Sequence, residues 1–206
     1  MGRMRMDKRY ALQEGDALVI VDMQNCFLPG GTLGINGSDR IIPPVNRTIE
    51  AFAKREFPIA LSRDWHPPGH ISFAEQGGPW PVHGVAGTVD AAFSPELIIP
   101  GGAVVFSKAT DKDHEEYSAF LAKTENGMTL RSWLGENAVQ RIWIGGLATD
   151  YCVLNTALDM LRAGYRVMVL IDAVFAVDVK DGDGERAIVE MAARGAEMVT
   201  TGQIEA

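Results

Sequence analysis

The sequence predicts an α/β fold in three layers, with a mainly parallel six-stranded sheet flanked by helices. Two observations lead there. Short apolar runs, mostly β-branched or aliphatic, recur along the chain as strands buried on both faces do. Between them lie amphipathic segments long enough for crossover helices, and that alternation marks a parallel sheet.

The apolar runs are Ala17 to Val21, Pro58 to Leu61, Ala103 to Phe106, Arg141 to Ile144, Val167 to Ile171 and a short last one from Glu197 to Thr200. Helices declare themselves by their ends. Pro44 occupies a first helical position ahead of Val45, Ile49, Phe52 and Ala53, where its missing N–H has no intrahelical partner to lose. Asp150 is placed to cap a helix carrying Val153, Leu154, Ala157, Leu158 and Leu161, with Gly164 to end it. Asp183 and Gly195 bracket another around Ala187, Ile188, Met191 and Ala192. Two long Gly- and Pro-rich loops, 27–43 and 65–100, break the pattern, and loops of that length in a compact domain are commonly functional.

Bulk properties narrow the classes of function. A length of 206 residues suits one α/β domain over 1–206, with 1–13 as an N-terminal extension. The content is 47% hydrophobic and 22% charged, which is that of a globular chain able to bury a core. A net charge of -8 and the absence of a basic run argue against nucleic acid as a partner. No apolar stretch has the length of a membrane span or a signal peptide, so the expected location is the cytoplasm, with no membrane partner. Two cysteines, Cys26 and Cys152, make no disulfide framework and leave room for a reactive thiol. The choice between a monomer and a homo-oligomer stays open.

In open α/β sheets ligands bind beyond the carboxyl ends of the strands, so the polar residues that stop the apolar runs are the first candidates. Those residues are Asp22, then Asp64 with His66, then Lys108, and then Cys152 after a Gly145–Gly146 bend. The fifth run stops at Asp172, which reads more simply as a turn or helix cap. Cys26 reads as a small buried hydrophobe. Cys152 falls in the opening turn of an expected helix, where unpaired N–H groups favour a thiolate. Asp22 can accept a proton and return it to a leaving group, Lys108 can balance the charge, and the bend before Cys152 can supply oxyanion donors. Taken singly, each of these residues also fits a capped strand end or a surface ion pair.

A second constellation joins Asp64, His66 and His83. Side chains two apart on an extended segment share a side, so Asp-x-His offers two ligands together and His83 closes the set. A carboxylate with two imidazoles suits Zn²⁺, Fe²⁺ or Mn²⁺. On spacing alone, such histidines in a Pro-rich loop read equally well as structural. His70 is a further ligand or a supporting group, and His114, in DKDHEE, reads as solvated. Phe27, Trp80 and Tyr117 lie close enough in sequence to these positions to sandwich a flat ring, although each also reads as a loop anchor.

The segments VDMQNCF, SRDWHPPGHISF, GGPWPVHG, FSKATDKDHEEYSAF and GGLATDYCVLNTALD stand in this order over nearly the whole chain. Together they resemble the nicotinamidases, or pyrazinamidases, of the isochorismatase-like cysteine hydrolase superfamily. The resemblance implies a catalytic triad of Asp22, Lys108 and Cys152. It implies one divalent ion, zinc first, with Fe²⁺ or Mn²⁺ as alternatives, held by Asp64, His66 and His83. It implies a cis peptide between Leu147 and Ala148, an oxyanion hole from the N–H groups of Ala148 and Cys152, and ring contacts from Phe27 and Trp80. Leu147 and Tyr117 join these as expected substrate-binding residues. The implied reaction is hydrolysis of nicotinamide, or of pyrazinamide, through a Cys152 thioester, with a place in pyridine nucleotide salvage. Two positions depart from the family pattern. Cys26 stands where Asp is common and Gly84 where Cys is common, so the pocket lining and the preferred amide are what they bear on.

The alternative is a relative acting on a ureido or carbamoyl compound, but such relatives generally lack the Asp-x-His and WPxH metal set. A non-haem iron oxygenase would leave Cys152 and Lys108 without a task. A nucleotide-binding module needs a Gly-rich turn after the first strand, where this chain has DMQNCF.

Overall fold

The computed structural model describes residues 8–205. Its strands are β1 (Tyr10–Ala11), β2 (Asp16–Val21), β3 (Ile59–Asp64), β4 (Val104–Lys108), β5 (Arg141–Leu147), β6 (Arg166–Phe175), β7 (Glu197–Val199) and β8 (Ile204–Glu205). Six of them form one sheet in the order β4-β3-β2-β5-β6-β7. Every neighbouring pair in it is parallel.

Alternation along the strands decides which layer each side chain joins. In β2, Leu18 and Ile20 pack with Ile42, Val45, Ile49 and Phe52 of α1 (Ile42–Ala53) on one face. Ala17, Val19 and Val21 meet the other layer, built from α2 (Leu130–Glu136), α3 (Leu154–Arg162) and α4 (Asp183–Ala193). Each fully buried Ile or Phe on such a face contributes about 1.5–3 kcal/mol. The ends follow local chemistry. Pro43 sits in the first turn of α1, where no intrahelical donor is needed. Thr129 caps α2 by accepting the Ser132 N–H at 3.1 Å, and Gly164, at φ +92°, closes α3.

The three-layer expectation holds, with local differences. Strands β3 to β6 run on past their expected ends, through polar residues in β3 and β4, through Gly145–Leu147 in β5 and through Asp172–Phe175 in β6, because the backbone ladder continues there. Asp172 therefore lies inside β6 and accepts the N–H and hydroxyl of Thr201. Asp150 does not cap a helix. Its carboxylate accepts the N–H groups of Val177 and Asp178, both at 2.9 Å, and the turn around it is π-helical over Thr149–Val153. Helix α2 was not expected, since seven residues give periodicity little to show. Of the expected N-terminal extension, residues 1–7 lie outside the described residues, while Tyr10–Ala11 pairs with Ile204–Glu205. Among the described residues no helix is long and apolar enough to cross a membrane.

The chain enters at β2, moves outward through β3 and β4, then crosses back to β5 and continues to β7. The direction reverses between β2 and β5, and the crevice beyond their carboxyl ends is where such sheets hold ligands. Here the backbones crowd together. Gly146 has φ +113°, and a Cβ there would lie 2.1 Å from the Val21 carbonyl oxygen, so only glycine fits.

At the opposite end of these strands, Arg141 grips Asp16. Nε and Nη2 each donate to a carboxylate oxygen at 2.6 Å, and Nη2 also reaches the Ala11 carbonyl at 2.9 Å. Both side chains are buried. We predict that Arg141→Ala leaves Asp16 uncompensated and lowers stability by about 3–5 kcal/mol. Urea unfolding measures this, and an unchanged midpoint would contradict it.

Candidate active site

Four strand ends meet in the crevice. Asp22 follows β2 in a left-handed conformation, φ +49°, sparsely populated for a residue other than glycine and held by its place between two buried strands. Asp64 and Lys108 close β3 and β4, and are paired partners across that ladder. Cys152 lies in the turn after β5, in contact with the other three.

Lys108 is the hub. Its ammonium lies 3.0 Å from Asp22 Oδ2 and 3.3 Å from Cys152 Sγ, and makes a short ion pair with Asp64 Oδ1. The acceptor atoms of Asp22, Asp64 and Cys152 all fall within 4.8 Å of one another. All four side chains are buried. Asp22 Oδ1 accepts the Ser62 hydroxyl at 2.7 Å, whereas Oδ2 has no aligned hydrogen-bond donor.

Burial and charge separate the protonation behaviour of these groups. Burial raises the Asp22 carboxyl, against the pull of Lys108. Burial acts on Asp64 in the same sense, but the Lys108 ammonium and the His66 contact outweigh it and hold Asp64 well below the carboxylate range. Lys108 would lose its proton from burial alone, yet Asp22 and Asp64 push it well above the usual ammonium value. Burial pushes the Cys152 thiol up, Lys108 opposes this, and the two carboxylates add to the rise. Against the thiolate expected at a helix start, desolvation and the two carboxylates favour the protonated thiol, while Lys108 favours the anion.

Asp64 also faces the histidines. Its Oδ2 lies 3.7 Å from His66 Nε2 and 3.9 Å from His83 Nε2, and the two Nε2 atoms are 3.3 Å apart. The opposite ring nitrogens fix the tautomers. His66 Nδ1 lies 3.2 Å from the Ala109 carbonyl and His83 Nδ1 lies 2.8 Å from the Pro81 carbonyl, so both Nδ1 atoms donate. Two Nε2 lone pairs and a carboxylate oxygen then converge on one point, an arrangement that suits a bound cation. The residues fit a divalent ion. His70 is not part of this set. Its Nε2 donates to the His114 carbonyl at 3.0 Å and its Nδ1 accepts the Ser72 hydroxyl at 2.7 Å, so both nitrogens are engaged while its ring stacks on His66. His114 is exposed, as expected.

Beside these groups opens a cavity of about 400 Å³, counting its mouth. Phe27, Trp80, Tyr117, Ala148 and Cys152 reach its wall, as do Asp64, His66 and His83. Leu147 does not. It is fully buried in the layer beneath, because strand alternation turns it away from the crevice. Leu33, Glu115, Tyr151 and Val177 line the wall without having been anticipated. Trp80 Nε1 donates to the Tyr117 hydroxyl at 3.1 Å, and Tyr151 meets both rings, which makes one aromatic side wall.

The peptide between Leu147 and Ala148 is cis. The Ala148 carbonyl accepts the N–H groups of Tyr151 and Val153. Among the described residues no backbone carbonyl outside the helices and strands takes the N–H of Ala148. Both departures from the family pattern find a setting. Cys26 is a buried thiol raised by burial. Gly84 has φ +56°, and a Cβ would come within 3.2 Å of Asp64 Cβ and 3.4 Å of His66 Cδ2, so glycine leaves the ligands room.

Sequence reading missed one supporting residue. Gln24 Oε1 accepts the Asp64 N–H at 2.7 Å while its Nε2 donates to the Asp64 and Ala91 carbonyls, both at 2.8 Å, which locks the Asp64 backbone. Its only signal was a polar residue two positions beyond Asp22.

The isochorismatase domain family matches residues 16–203. A nicotinamidase of Acinetobacter baylyi is 37% identical over 205 residues, covering 91% of this chain and 94% of the relative. The crystal structure of a pyrazinamidase of Pyrococcus horikoshii in complex with zinc is 46% identical, with a TM-score of 0.83 and coverage of 90% of this chain and 99% of that one. PnC1 from L. infantum in complex with nicotinate is 30% identical, also with a TM-score of 0.83, over 96% of this chain and 98% of that one. On sequence and fold together, the chain belongs to the isochorismatase domain family.

Proposed function

We infer that the chain is a nicotinamidase, which hydrolyses nicotinamide to nicotinate and ammonia. The observation that carries this reading is one ammonium in contact with a thiol and two carboxylates at the edge of an aromatic-walled cavity. The nicotinamidase and pyrazinamidase relatives, with nicotinate in one complex, support the choice of amide. A ureido or carbamoyl substrate would leave the aromatic wall without a ring to hold.

In the proposed reaction Cys152 is the nucleophile and Asp22 the proton carrier. The Cys152 sulfur attacks the carboxamide carbon as its proton passes to Asp22 Oδ2, the carboxylate oxygen with no aligned donor. The N–H groups of Ala148 and Cys152 receive the oxygen of the tetrahedral intermediate. Asp22 then protonates the departing nitrogen, the C–N bond breaks, ammonia leaves and a thioester remains. Water, deprotonated by Asp22, attacks the thioester carbon, and the sulfur departs with the proton to restore the thiol. Lys108 keeps its charge throughout and holds Asp22 and Cys152 in place. Asp64, His66 and His83 would hold the metal, for which zinc fits this donor set and is present in the Pyrococcus relative. When bound, the ion supplies a fixed Lewis-acidic point at the cavity wall for orienting a ring nitrogen. Phe27, 5.6 Å from the His83 ring, and Trp80 flank the ring plane.

Two measurements test this reading. The wild type should release ammonia from nicotinamide, and Cys152→Ala should reduce release by about 10³-fold or more with an unchanged melting curve. Turnover that survives the substitution would remove the thiol from the mechanism. His83→Ala should lose tightly bound divalent metal and raise KM, and full metal stoichiometry in that variant would overturn the ligand set.

A further inference from the structure

Ala109, the residue after Lys108, is buried and has φ +50° although it carries a Cβ. The left-handed region is sparsely populated for such a residue and needs neighbours that hold it. Two groups hold this one. On its carboxyl side the Ala109 carbonyl takes His66 Nδ1 at 3.2 Å. On its amino side the Ala109 N–H donates to Glu116 Oε2 at 3.1 Å. Glu116 is half-buried, does not line the cavity and has no part in the proposed reaction.

The turn at Ala109 stands between two working groups. Just before it, the Lys108 carbonyl takes the Trp65 N–H at 3.1 Å, which carries the pairing of β3 with β4 one step past Asp64. A rotation at Ala109 would withdraw the carbonyl that fixes the His66 tautomer and loosen the strand end that delivers the ammonium. Glu116 is itself anchored on both sides. Its N–H donates to Glu115 Oε1 at 2.9 Å, and the His114 carbonyl is held by His70 Nε2 at 3.0 Å. Beyond it, the Tyr117 hydroxyl accepts from Trp80 Nε1 at 3.1 Å and the Ala119 N–H donates to Thr156 Oγ1 at 2.8 Å. A carboxylate fixed in this way makes a charge-assisted hydrogen bond to the Ala109 N–H, stronger than a neutral acceptor would.

We propose that Glu116 is a positioning residue, which holds Ala109 in its left-handed turn and through that turn keeps His66 Nε2 facing Asp64 and His83 and Lys108 facing Asp22 and Cys152. Its effect on turnover rests on the nicotinamidase reading, whereas its effect on metal binding does not.

Two quantities test this: zinc affinity, measured by competition with a chromogenic chelator, and kcat and KM for nicotinamide at saturating zinc. Glu116→Ala should weaken zinc binding by about three- to tenfold, less than the loss of about 10–100-fold typical when the group bonded directly to a metal ligand is removed. At saturating zinc, kcat should fall by about threefold or more while KM moves by less than about twofold, because a displaced Lys108 affects the chemical step and not ring binding. Glu116→Gln keeps an oxygen that can accept the N–H and should recover most of both losses. Adding Ala109→Gly to Glu116→Ala should recover them as well, since glycine adopts the left-handed region without support. Unchanged zinc affinity and kcat in Glu116→Ala, or losses that Ala109→Gly leaves in place, would overturn the proposal. Wild-type protein that releases no ammonia from nicotinamide would overturn the nicotinamidase reading and leave zinc affinity to decide the role of Glu116.

Discussion

An ammonium buried in the crevice is the constraint on which the rest of the site depends. Moving Lys108 out of water costs several kcal/mol unless paired charges compensate, and Asp22 and Asp64 provide that compensation. The reverse holds as well. Two carboxylates and a thiol with acceptor atoms within 4.8 Å would repel one another strongly as anions without a cation among them. Because Lys108 ends β4 directly beside Asp64 at the end of β3, the sheet register sets this pairing before any loop is placed.

One cation between two carboxylates also divides their work. Asp64, in the shorter contact and beside the histidines, is held ionised far below the usual range, which suits a group that must never give up its charge. Asp22 is raised and keeps an oxygen without an aligned donor, which suits a group that takes and returns a proton. Asp64 then joins two sites, with Oδ1 on the ammonium and Oδ2 toward His66 and His83. Gln24 holds its backbone on two hydrogen bonds and ties it to the Ala91 carbonyl with a third, so the joint is fixed from behind.

Particular residues show what the sequence could and could not disclose. The runs at 17–21 and 141–144 were legible because strands buried on both faces need unbroken apolar sequence. The true ends of β3 and β4 were not, since Asp64 and Lys108 look like stops while their backbones still belong to the ladder. Asp150 was misread because an Asp before a helical stretch serves equally as a cap or as an acceptor for a distant loop, and only the fold brings Val177 and Asp178 to it. The setting of the Cys152 thiol was hidden for a related reason. A helix start is visible locally, whereas desolvation and two carboxylates from other strands are not. Strand ends and spaced histidines marked the chemical groups. The cavity wall at Leu33, Glu115, Tyr151 and Val177 comes from separate loops with no shared period to reveal it.

The raised thiol bears on how the sulfur becomes reactive in the proposed reaction. Creating a new pair of charges in a buried crevice would be prohibitive, but none is created when the Cys152 proton moves to Asp22. Before the transfer the ammonium faces an anionic carboxylate at 3.0 Å and a neutral thiol at 3.3 Å. Afterwards it faces a neutral carboxyl and an anionic sulfur at the same places. The negative charge crosses from one side of Lys108 to the other, and the net charge of the site stays constant. Burial raises both groups, so the cost of the transfer is governed by how evenly Lys108 stabilises the two anions. A lysine spanning both at nearly equal distance thus makes a protonated resting thiol compatible with a fast nucleophile, which a stable thiolate would not need.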